Sequence, residues 1–358
     1  MSWNDVKLDE VILFKNGKKR PIGTGKFPVY GGNGILGYAD SPNNRNCVIV
    51  GRVGAYCGSV YYEDGDCWIS DNAICALPKG ENDIIFLYYL LKSLELNKRH
   101  IGTSQPLLTQ EILNSIVCKI PAKDTQFKIG RLLRTLDEKI AVNQKINDNL
   151  QQQAAALFAN FYDQAETEVG FTEMIQILGG GTPKTGESSY WNGDIPFFTP
   201  KDVGFPYTLT TEKTITEEGL AHCNSRLYPI NTVFVTARGT VGKVGLPGVP
   251  MAMNQSCYAL VGKDTHQLLV YFYTLKAVDR LKHKASGAVF DAITTRDFEA
   301  ENIMKLSDDD TKAFLDVAEP IYQAVLNNSI ENLRLSELRD SLLPKLMNGE
   351  IDVTDIRL

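Results

Sequence analysis

The chain has 358 residues, of which 43% are hydrophobic and 22% are charged, and its formal net charge is −6. The length predicts roughly two to three domains, and the composition is that of an ordinary globular protein. The negative charge excludes a nucleic-acid binder that is basic over its whole surface. Binding to nucleic acid would therefore need local basic loops or a basic partner subunit.

The sequence contains no targeting or metal-binding pattern. Its first ten residues, MSWNDVKLDE, are charged and lack the apolar stretch of a secretion signal. The longest apolar run, IIFLYYLL at 84–91, is too short to span a bilayer. The seven cysteines and four histidines include no Cys-x-x-Cys and do not cluster. We expect a soluble, cytoplasmic protein with reduced thiols, no bound metal and no contact with a membrane.

The first half contains a strand pattern that is followed by a glycine-rich loop around one arginine. This stretch, CVIVGRVGAYCGSV at 47–60, contains Arg52. A strand pattern, SDNAICAL at 70–77, and an aromatic-rich helical pattern, FLYYLLKSL at 86–94, follow it. The loop HIGTSQPLLT at 100–109 then leads toward a long helical segment.

A long helix is predicted over 122–165, because no Gly or Pro occurs in this segment after Gly130. Apolar and asparagine residues recur at alternating steps of four and three, which is the spacing of a coiled-coil seam. The seam consists of Leu136, Ile140, Asn143, Asn147, Leu150, Ala154, Leu157 and Phe161. Polar seam residues fix register and suit a spacer, whereas an ordinary core stripe remains the alternative.

The second half repeats these elements in the same order. TVFVTARGTVGKV at 232–244 contains Arg238 and is followed by MNQSCYAL at 253–260, LVYFYTLKAV at 269–278 and HKASGAVFDAIT at 283–294. Self-similarity over this distance indicates two copies of one unit. Arg52 and Arg238 are expected to occupy equivalent positions in the two copies.

A second long helix is predicted from about Asp308 to Met347, with Pro320 as an expected kink. Four residues form its apolar face: Ile330, Leu333, Leu338 and Leu342. We expect the two long helices to pack against each other.

The chain lacks the motifs of common enzyme sites. GTPKTGES at 181–188 approaches a phosphate-binding loop, but Glu187 stands where the lysine is required. GTVGKVG at 239–245 does not have the glycine spacing of a dinucleotide site. No Ser/His/Asp set, paired carboxylates or base-flipping tetrapeptide is present. The sequence predicts a protein that binds and has no catalytic residues.

The loops carry side chains that suit nucleic acid, since they combine cations, hydroxyls, amides and aromatic rings. In the second half these are Lys184, Tyr190, Trp191, Thr199, Lys201, Asp202, Arg238 and Lys243. In the first half they are Lys18, Lys19, Arg20, Tyr30, Asn33, Arg45 and Arg52. For any one of them, a solvated surface residue is the alternative.

Several of these stretches resemble the specificity subunit of type I restriction-modification systems. In the first half they are FPVYGGNGILGY at 27–38, VIVGRVG and WISDNAICAL. In the second half they are TPKTGESSYWNGDIPFFTPKDV at 182–203, ARGTVGKVG, MNQSCYAL and the C-terminal LRDSLLPKLMNGEI. The resemblance covers nearly the whole chain in the order recognition domain, helix, recognition domain, helix.

This resemblance implies an α+β fold with two pseudo-repeated mixed α/β target recognition domains, joined by two long antiparallel helices that form a coiled coil. The expected boundaries are 1–121 and 166–307 for the recognition domains, and 122–165 and 308–358 for the helices. Each domain would read one half of a bipartite double-stranded DNA target. Asn254, Gln255, Thr103, Ser104 and Gln105 join the candidate DNA contacts.

The resemblance also implies partners. Two modification subunits would methylate adenine with S-adenosylmethionine, and restriction subunits would cleave DNA with ATP and Mg²⁺, so that this chain itself holds no cofactor. A stand-alone DNA-binding or anti-restriction protein is the alternative, and an enzyme with a glycine-rich cofactor site is a third hypothesis. Co-purification with a modification subunit distinguishes the first two.

Overall fold

The computed structural model describes residues 3–21, 23–102, 105–284 and 292–354. The chain divides into two compact units, residues 1–140 with 334–358 (unit 1) and residues 141–333 (unit 2). Each unit contains part of both long helices.

Unit 1 contains the first strands and helices of the chain. Its strands are β1 (Trp3–Lys7), β2 (Ile12–Asn16), β3 (Phe27–Gly31), β4 (Gly34–Ala39), β5 (Asn44–Gly51), β6 (Val60–Ile69), β7 (Ala73–Pro78) and β8 (Val117–Pro121). Its helices are α1 (Leu8–Val11), α2 (Ile84–Ser93), α3 (Gln110–Ser115) and the first part of α4 (Lys123–Gln164). Six strands of its described part form a sheet in the order β2-β7-β5-β6-β3-β4.

Strand β5 shows why this sheet forms. Its β-branched residues favour a strand, and successive side chains alternate between two buried faces. Val48 and Val50 pack in the main core with α2, whereas Cys47 and Ile49 pack in a second cluster on the other face. Because both faces are covered there, the strand is buried from Cys47 to Gly51.

Unit 2 repeats this arrangement. Its strands are β9 (Thr167–Gly170), β10 (Ile175–Gly179), β11 (Trp191–Phe198), β12 (Tyr207–Thr208), β13 (Lys213–Ile215), β14 (Val233–Thr236), β15 (Val244–Pro247), β16 (Ala252–Met253), β17 (Cys257–Gly262) and β18 (Asn302–Lys305). Its helices are α5 (Phe171–Met174), α6 (Glu217–Ala221), α7 (Gln267–Lys284), α8 (Thr295–Glu299) and most of α9 (Asp308–Met347). Within the described residues, its main sheet has the order β10-β17-β14-β15-β12, which matches β2-β7-β5-β6 in unit 1.

Aromatic side chains join the long helices to the core of unit 2. Phe158 of α4 stacks on Phe272 of α7, with ring centroids 4.9 Å apart, and meets Phe314 of α9 edge-on at 5.5 Å. All three are buried, and such pairs add roughly 0.5–1.5 kcal/mol beyond the area that they bury. The helices are therefore built into the core of this unit.

Helices α4 and α9 run antiparallel within each unit. In unit 2, Asn143 Nδ2 donates to Glu331 Oε2 at 2.7 Å, and Phe158 lies against Phe314 farther along. In unit 1, Arg339 Nη1 lies 2.5 Å from Asp137 Oδ1. Rising numbers in α4 therefore meet falling numbers in α9. The predicted α+β class with two repeated domains and two long antiparallel helices is confirmed.

Helix α9 runs from Asp308 to Met347 and continues through Pro320. Gly349 has φ +79°, and a Cβ there would lie 2.6 Å from the indole nitrogen of Trp3. A left-handed glycine packed this closely ends the helix.

Candidate nucleic-acid interface

Several loops of unit 1 meet beyond the C-terminal end of β5. The backbone N–H of Arg52 donates to Asn72 O at 2.9 Å, and Leu108 N donates to Arg52 O at 2.8 Å. Gly54 N donates to Pro106 O at 3.0 Å. We call residues 31–34, 51–59, 70–72, 100–102 and 105–108 the first loop cluster. The backbone hydrogen bonds of its members fix the position of the Arg52 backbone.

Unit 2 contains the same arrangement. The N–H of Ala237 donates to Ser256 O at 2.8 Å, and Ile293 N donates to Ala237 O at 2.9 Å. The hydroxyl of Thr240 donates to Pro200 O at 3.1 Å. We call residues 199–202, 236–243, 254–256 and 292–293 the second loop cluster. Both clusters are thus held by the same kind of backbone ladder.

Glycines close the central loop in both clusters. Gly58 N donates to Gly51 O and Gly242 N donates to Thr236 O, both at 2.8 Å. Gly58 and Gly242 have φ of +86° and +73°, a region that other residues adopt only with strain. This requirement explains why the two stretches of sequence share glycines at similar offsets.

The hydrogen bonds also align the two loops residue by residue, and they correct one expectation. Arg52 donates to the turn before β7 and accepts from Leu108, and in unit 2 Ala237 makes the equivalent pair of contacts. Val53 pairs with Leu107 as Arg238 pairs with Ala292. Arg52 therefore corresponds to Ala237, and Arg238 corresponds to Val53. The expected equivalence of the two arginines was wrong by one residue.

This shift places the two arginines in different surroundings. Successive side chains of an extended segment point to opposite sides, and the position of Ala237 is buried, with 3% exposure. Arg52 is accordingly half-buried, and its Nε is buried without a hydrogen-bond partner among the described residues. Arg238 is exposed.

The other candidates of the second loop cluster divide into exposed and structural residues. Lys201, Lys243 and Gln255 are exposed, and Gln255 accepts a hydrogen bond from the hydroxyl of Thr182. Asn254 Oδ1 accepts from Ser256 N at 3.0 Å, which shapes the turn before β17. The exposed cations and amides offer donors to solvent or to a ligand.

Asp202 has a structural role in this cluster. One carboxylate oxygen accepts from Thr199 N at 2.8 Å and from the Thr199 hydroxyl at 2.6 Å, and the other accepts from Glu212 N at 2.8 Å. These contacts engage both oxygens in the loop itself. Asp202 and Thr199 thus hold the loop that carries Lys201.

Two aromatic residues, Tyr190 and Trp191, lie where β11 begins. Trp191 Nε1 donates to Lys184 O at 3.1 Å, and the Tyr190 ring stacks on His222 with centroids 5.0 Å apart. Lys184 and His222 are exposed. The stacked pair presents a surface on which a base could stack. His222 was not among the candidates, because it lies far from Tyr190 in sequence and the contact is visible only in the structure.

In unit 1 the basic candidates lie on the surface and one aromatic candidate does not. Lys18, Lys19 and Arg20 are exposed, and Arg20 Nη2 donates to Leu36 O at 2.6 Å. Tyr30 is only 7% exposed, and its hydroxyl donates to Glu63 at 2.9 Å. Burial raises the pKa of Tyr30, and the contact with Glu63 raises it further. This ring belongs to the core and does not stack on a base.

The remaining candidates are spread more widely. Asn33 and Gln105 are exposed in the first loop cluster. Arg45 lies at the other end of β5 and pairs with Asp66 at 3.7 Å. Thr103 and Ser104 lie outside the described residues.

The helix seam contains the predicted asparagines and most of the predicted leucines. Asn143 is 1% exposed, and Ala154 is buried. Eight residues are half-buried: Leu136, Ile140, Leu150, Leu157, Phe161, Ile330, Leu333 and Leu342. Leu338 is 47% exposed and faces away from the packed side. Its neighbour Arg339 contacts α4 instead, through the ion pair with Asp137.

In the described part of the chain, no group of three His, Cys, Asp or Glu side chains could hold a metal ion. No helix there is both long and apolar enough to cross a membrane.

Comparison with known proteins identifies the repeat. A family model for the type I restriction modification DNA specificity domain matches residues 1–152 and again residues 167–305. The chain belongs to this family. Each match ends near one long helix, in agreement with the repeat of strands, loops and helices described above.

Individual relatives agree with the family. The chain is 26% identical over 370 residues to the type I restriction enzyme HindI specificity subunit of Haemophilus influenzae, and this match covers 79% of each chain. It is 30% identical over 157 residues to the EcoR124I/EcoR124II specificity subunit of Escherichia coli, covering 40% of this chain and 38% of that one. The resemblance drawn from the motifs is confirmed.

A solved structure shows the same fold. The type I restriction-modification S subunit from M. genitalium superposes with a TM-score of 0.64 at 17% identity, over 97% of this chain and 96% of that chain. The arrangement of two repeated domains and two long helices therefore recurs in a protein of low sequence identity.

Proposed function

We propose that this chain is the non-catalytic DNA-specificity subunit of a type I restriction-modification complex and that each unit reads one half of a bipartite duplex target. One observation carries the proposal: both units hold a loop cluster with the same backbone hydrogen bonds but with different side chains. The same backbone arrangement with different side chains suits the reading of two different half-sites by one kind of domain.

The side chains at the two clusters support different half-sites. At the aligned positions, the first cluster carries Arg52 and Val53, and the second carries Ala237 and Arg238. Arginine and amide side chains discriminate bases by paired hydrogen bonds in the major groove, whereas alanine and valine offer only apolar contact. The two halves of the target should consequently differ in sequence.

Catalysis would come from partner subunits. Two modification subunits would supply adenine methylation with S-adenosylmethionine, and restriction subunits would supply cleavage with ATP and Mg²⁺. The chain carries a net charge of −6, so partners that surround the duplex would contribute much of the positive surface that DNA requires.

Methyl transfer with labelled S-adenosylmethionine tests this division. The purified chain and the modification subunit encoded beside it are assayed separately and together on genomic DNA. We expect label in DNA only when both are present, and co-elution of the two proteins on gel filtration. Label incorporated by this chain alone would refute a non-catalytic role, and DNA binding without any co-elution would favour a stand-alone DNA-binding protein.

A further inference from the structure

We infer that Arg52 and Arg238 contact DNA in two different ways: Arg52 identifies a base in one half-site from a recessed position, and Arg238 binds the phosphate backbone at the other. The inference rests on the proposed function and assigns distinct tasks within it. Its basis is the one-residue shift between the two aligned loops.

The surroundings of Arg52 fix its position and leave a donor unused. Its backbone is hydrogen-bonded on both sides, to Asn72 and Leu108. Its Nε is buried and has no acceptor among the described residues. A buried donor without a partner is unfavourable, so a movement of the Arg52 side chain that brings this donor to an acceptor on a bound base would remove the penalty.

A second buried nitrogen without a hydrogen-bond partner lies in an adjacent segment. Nδ1 of His100 is also buried without a partner in the described chain. The next residue, Ile101, pairs with Leu107, and Leu107 pairs with Val53. The unsatisfied nitrogens therefore belong to adjacent segments of the first loop cluster.

This geometry favours base recognition over simple charge attraction. The guanidinium is a planar fork whose parallel N–H groups match the two acceptors of a guanine edge. A site with buried, unsatisfied polar groups rejects a base that cannot pair with them, because those groups then stay unpaired. Lysine has the same charge but lacks the fork.

Arg238 is placed for a different contact. Its side chain is exposed, and no hydrogen bond or ion pair to another described residue fixes its guanidinium. Gly239, which follows it, has φ +82°, and Lys243 of the same loop is also exposed. Two exposed cations on one loop add positive charge without a fixed geometry, which suits phosphate.

Binding of the assembled complex to synthetic duplexes tests the inference. The target motif is first read from methylated host DNA, and duplexes are then made with the motif or with one base pair changed in either half. Affinity is measured at several salt concentrations for complexes that contain the wild-type chain, Arg52→Lys, Arg238→Lys, Arg238→Ala or the control Arg131→Ala. Arg131 has the same chemistry as Arg52 but is exposed on α4, outside both loop clusters.

Arg52→Lys is expected to reduce discrimination at one base pair of one half-site about tenfold to a hundredfold. Its salt dependence should stay unchanged, and the other half-site should be read normally, which also shows that the complex is assembled. Arg238→Ala should weaken binding to all duplexes equally and lower the salt slope by about one. Arg238→Lys and Arg131→Ala should leave the preferred bases unchanged.

Val53→Arg supplies a test that leaves Arg52 in place, because it puts an arginine at the position equivalent to Arg238. It should strengthen binding to every duplex and raise the salt slope without changing the preferred bases. Uniform weakening by Arg52→Lys, relaxed base choice in Arg238→Ala or a new base preference in Val53→Arg would each overturn the inference. A wild-type complex that binds all duplexes equally would instead refute the proposed function.

Discussion

Burial separates the cysteine side chains of this chain into two classes. All seven are free thiols, six of them are buried, and Cys223 is partly exposed. In the second cluster of unit 1, the sulfur atoms of Cys47 and Cys67 are 3.6 Å apart. Burial in apolar surroundings makes such thiols unreactive.

Thiol labelling tests this distribution. In the native chain, a small aromatic disulfide reagent should modify one cysteine rapidly, and Cys223→Ser should abolish that fast phase. In denaturant, seven thiols should react in the wild type and six in the variant. Rapid native labelling of two or more thiols would contradict the packing of the sheets.

Buried thiols also predict how stability depends on pH. Burial raises the pKa of Cys118 to about 11 and that of Cys257 to about 12. The unfolded thiols lose their protons near pH 8.5, whereas the folded thiols keep them. The stabilising difference is thus fully present below about pH 8.5 and is lost as the pH rises toward 11 to 12.

The free energy of unfolding should accordingly fall above pH 8.5, with each such thiol contributing at most about 1.4 kcal/mol per pH unit. Urea unfolding between pH 7.5 and 10.5 measures the fall. In Cys257→Ala, the difference from wild type should shrink as the pH rises. A difference that stays constant over this range would show that Cys257 does not titrate as described.

At the scale of elements, polar contacts hold α4 and α9 in register within unit 2. Asn147 Oδ1 accepts from Asn328 Nδ2 at 2.8 Å, and Asn147 Nδ2 donates to Val325 O at 3.3 Å. Asn147 is 6% exposed, so its polar atoms depend on these partners. Polar groups that are satisfied in only one alignment disfavour alternative registers.

A double-mutant cycle on Asn147 and Asn328 tests this contact. Asn147→Ala should lower the free energy of unfolding by about 1–3 kcal/mol, because it leaves polar partners unpaired. The double variant should lose less than the sum of the single variants, with a coupling of at least about 0.5 kcal/mol. Gln152→Ala, at an exposed position of α4, is the control, and strict additivity would contradict the proposed coupling.

Elements were more predictable from the sequence than the positions of single side chains. The long helix could be predicted because 42 residues of α4 contain many repeats of one pattern and only one glycine. The alignment of Arg52 with Ala237 could not be predicted, because it depends on hydrogen bonds from Leu108 and Ile293, which lie far away in sequence. The burial of Tyr30 could not be predicted either, because it depends on a cluster with Ile49 and Ile69, which follow later in the chain.

For the whole molecule, the long helices should set the distance between the half-sites. The division into two units falls between Ile140 and Ala141 in α4 and between Leu333 and Arg334 in α9. Seven residues inserted at both places preserve the pairs Asp137 with Arg339 and Asn143 with Glu331. The inserted turns would lengthen each helix by about 10 Å.

At roughly 3.4 Å per base pair, the unspecified gap in the target should grow by about three base pairs, while both half-sites stay the same. The added length also rotates the second half-site by about 100° around the duplex, so activity should fall. The gap is read by sequencing methylated DNA from cells that express the insertion variant. An active complex with an unchanged gap would show that these helices do not set the spacing.

This chain is expected to determine which DNA sequence a modification complex methylates. Mapping of methylated bases in the DNA of a host that expresses the modification subunit, with and without this chain, measures this directly. We expect a bipartite motif, with two different half-sites and a fixed gap, that appears only when this chain is present. The same motif without this chain, or a single continuous motif with it, would contradict this role.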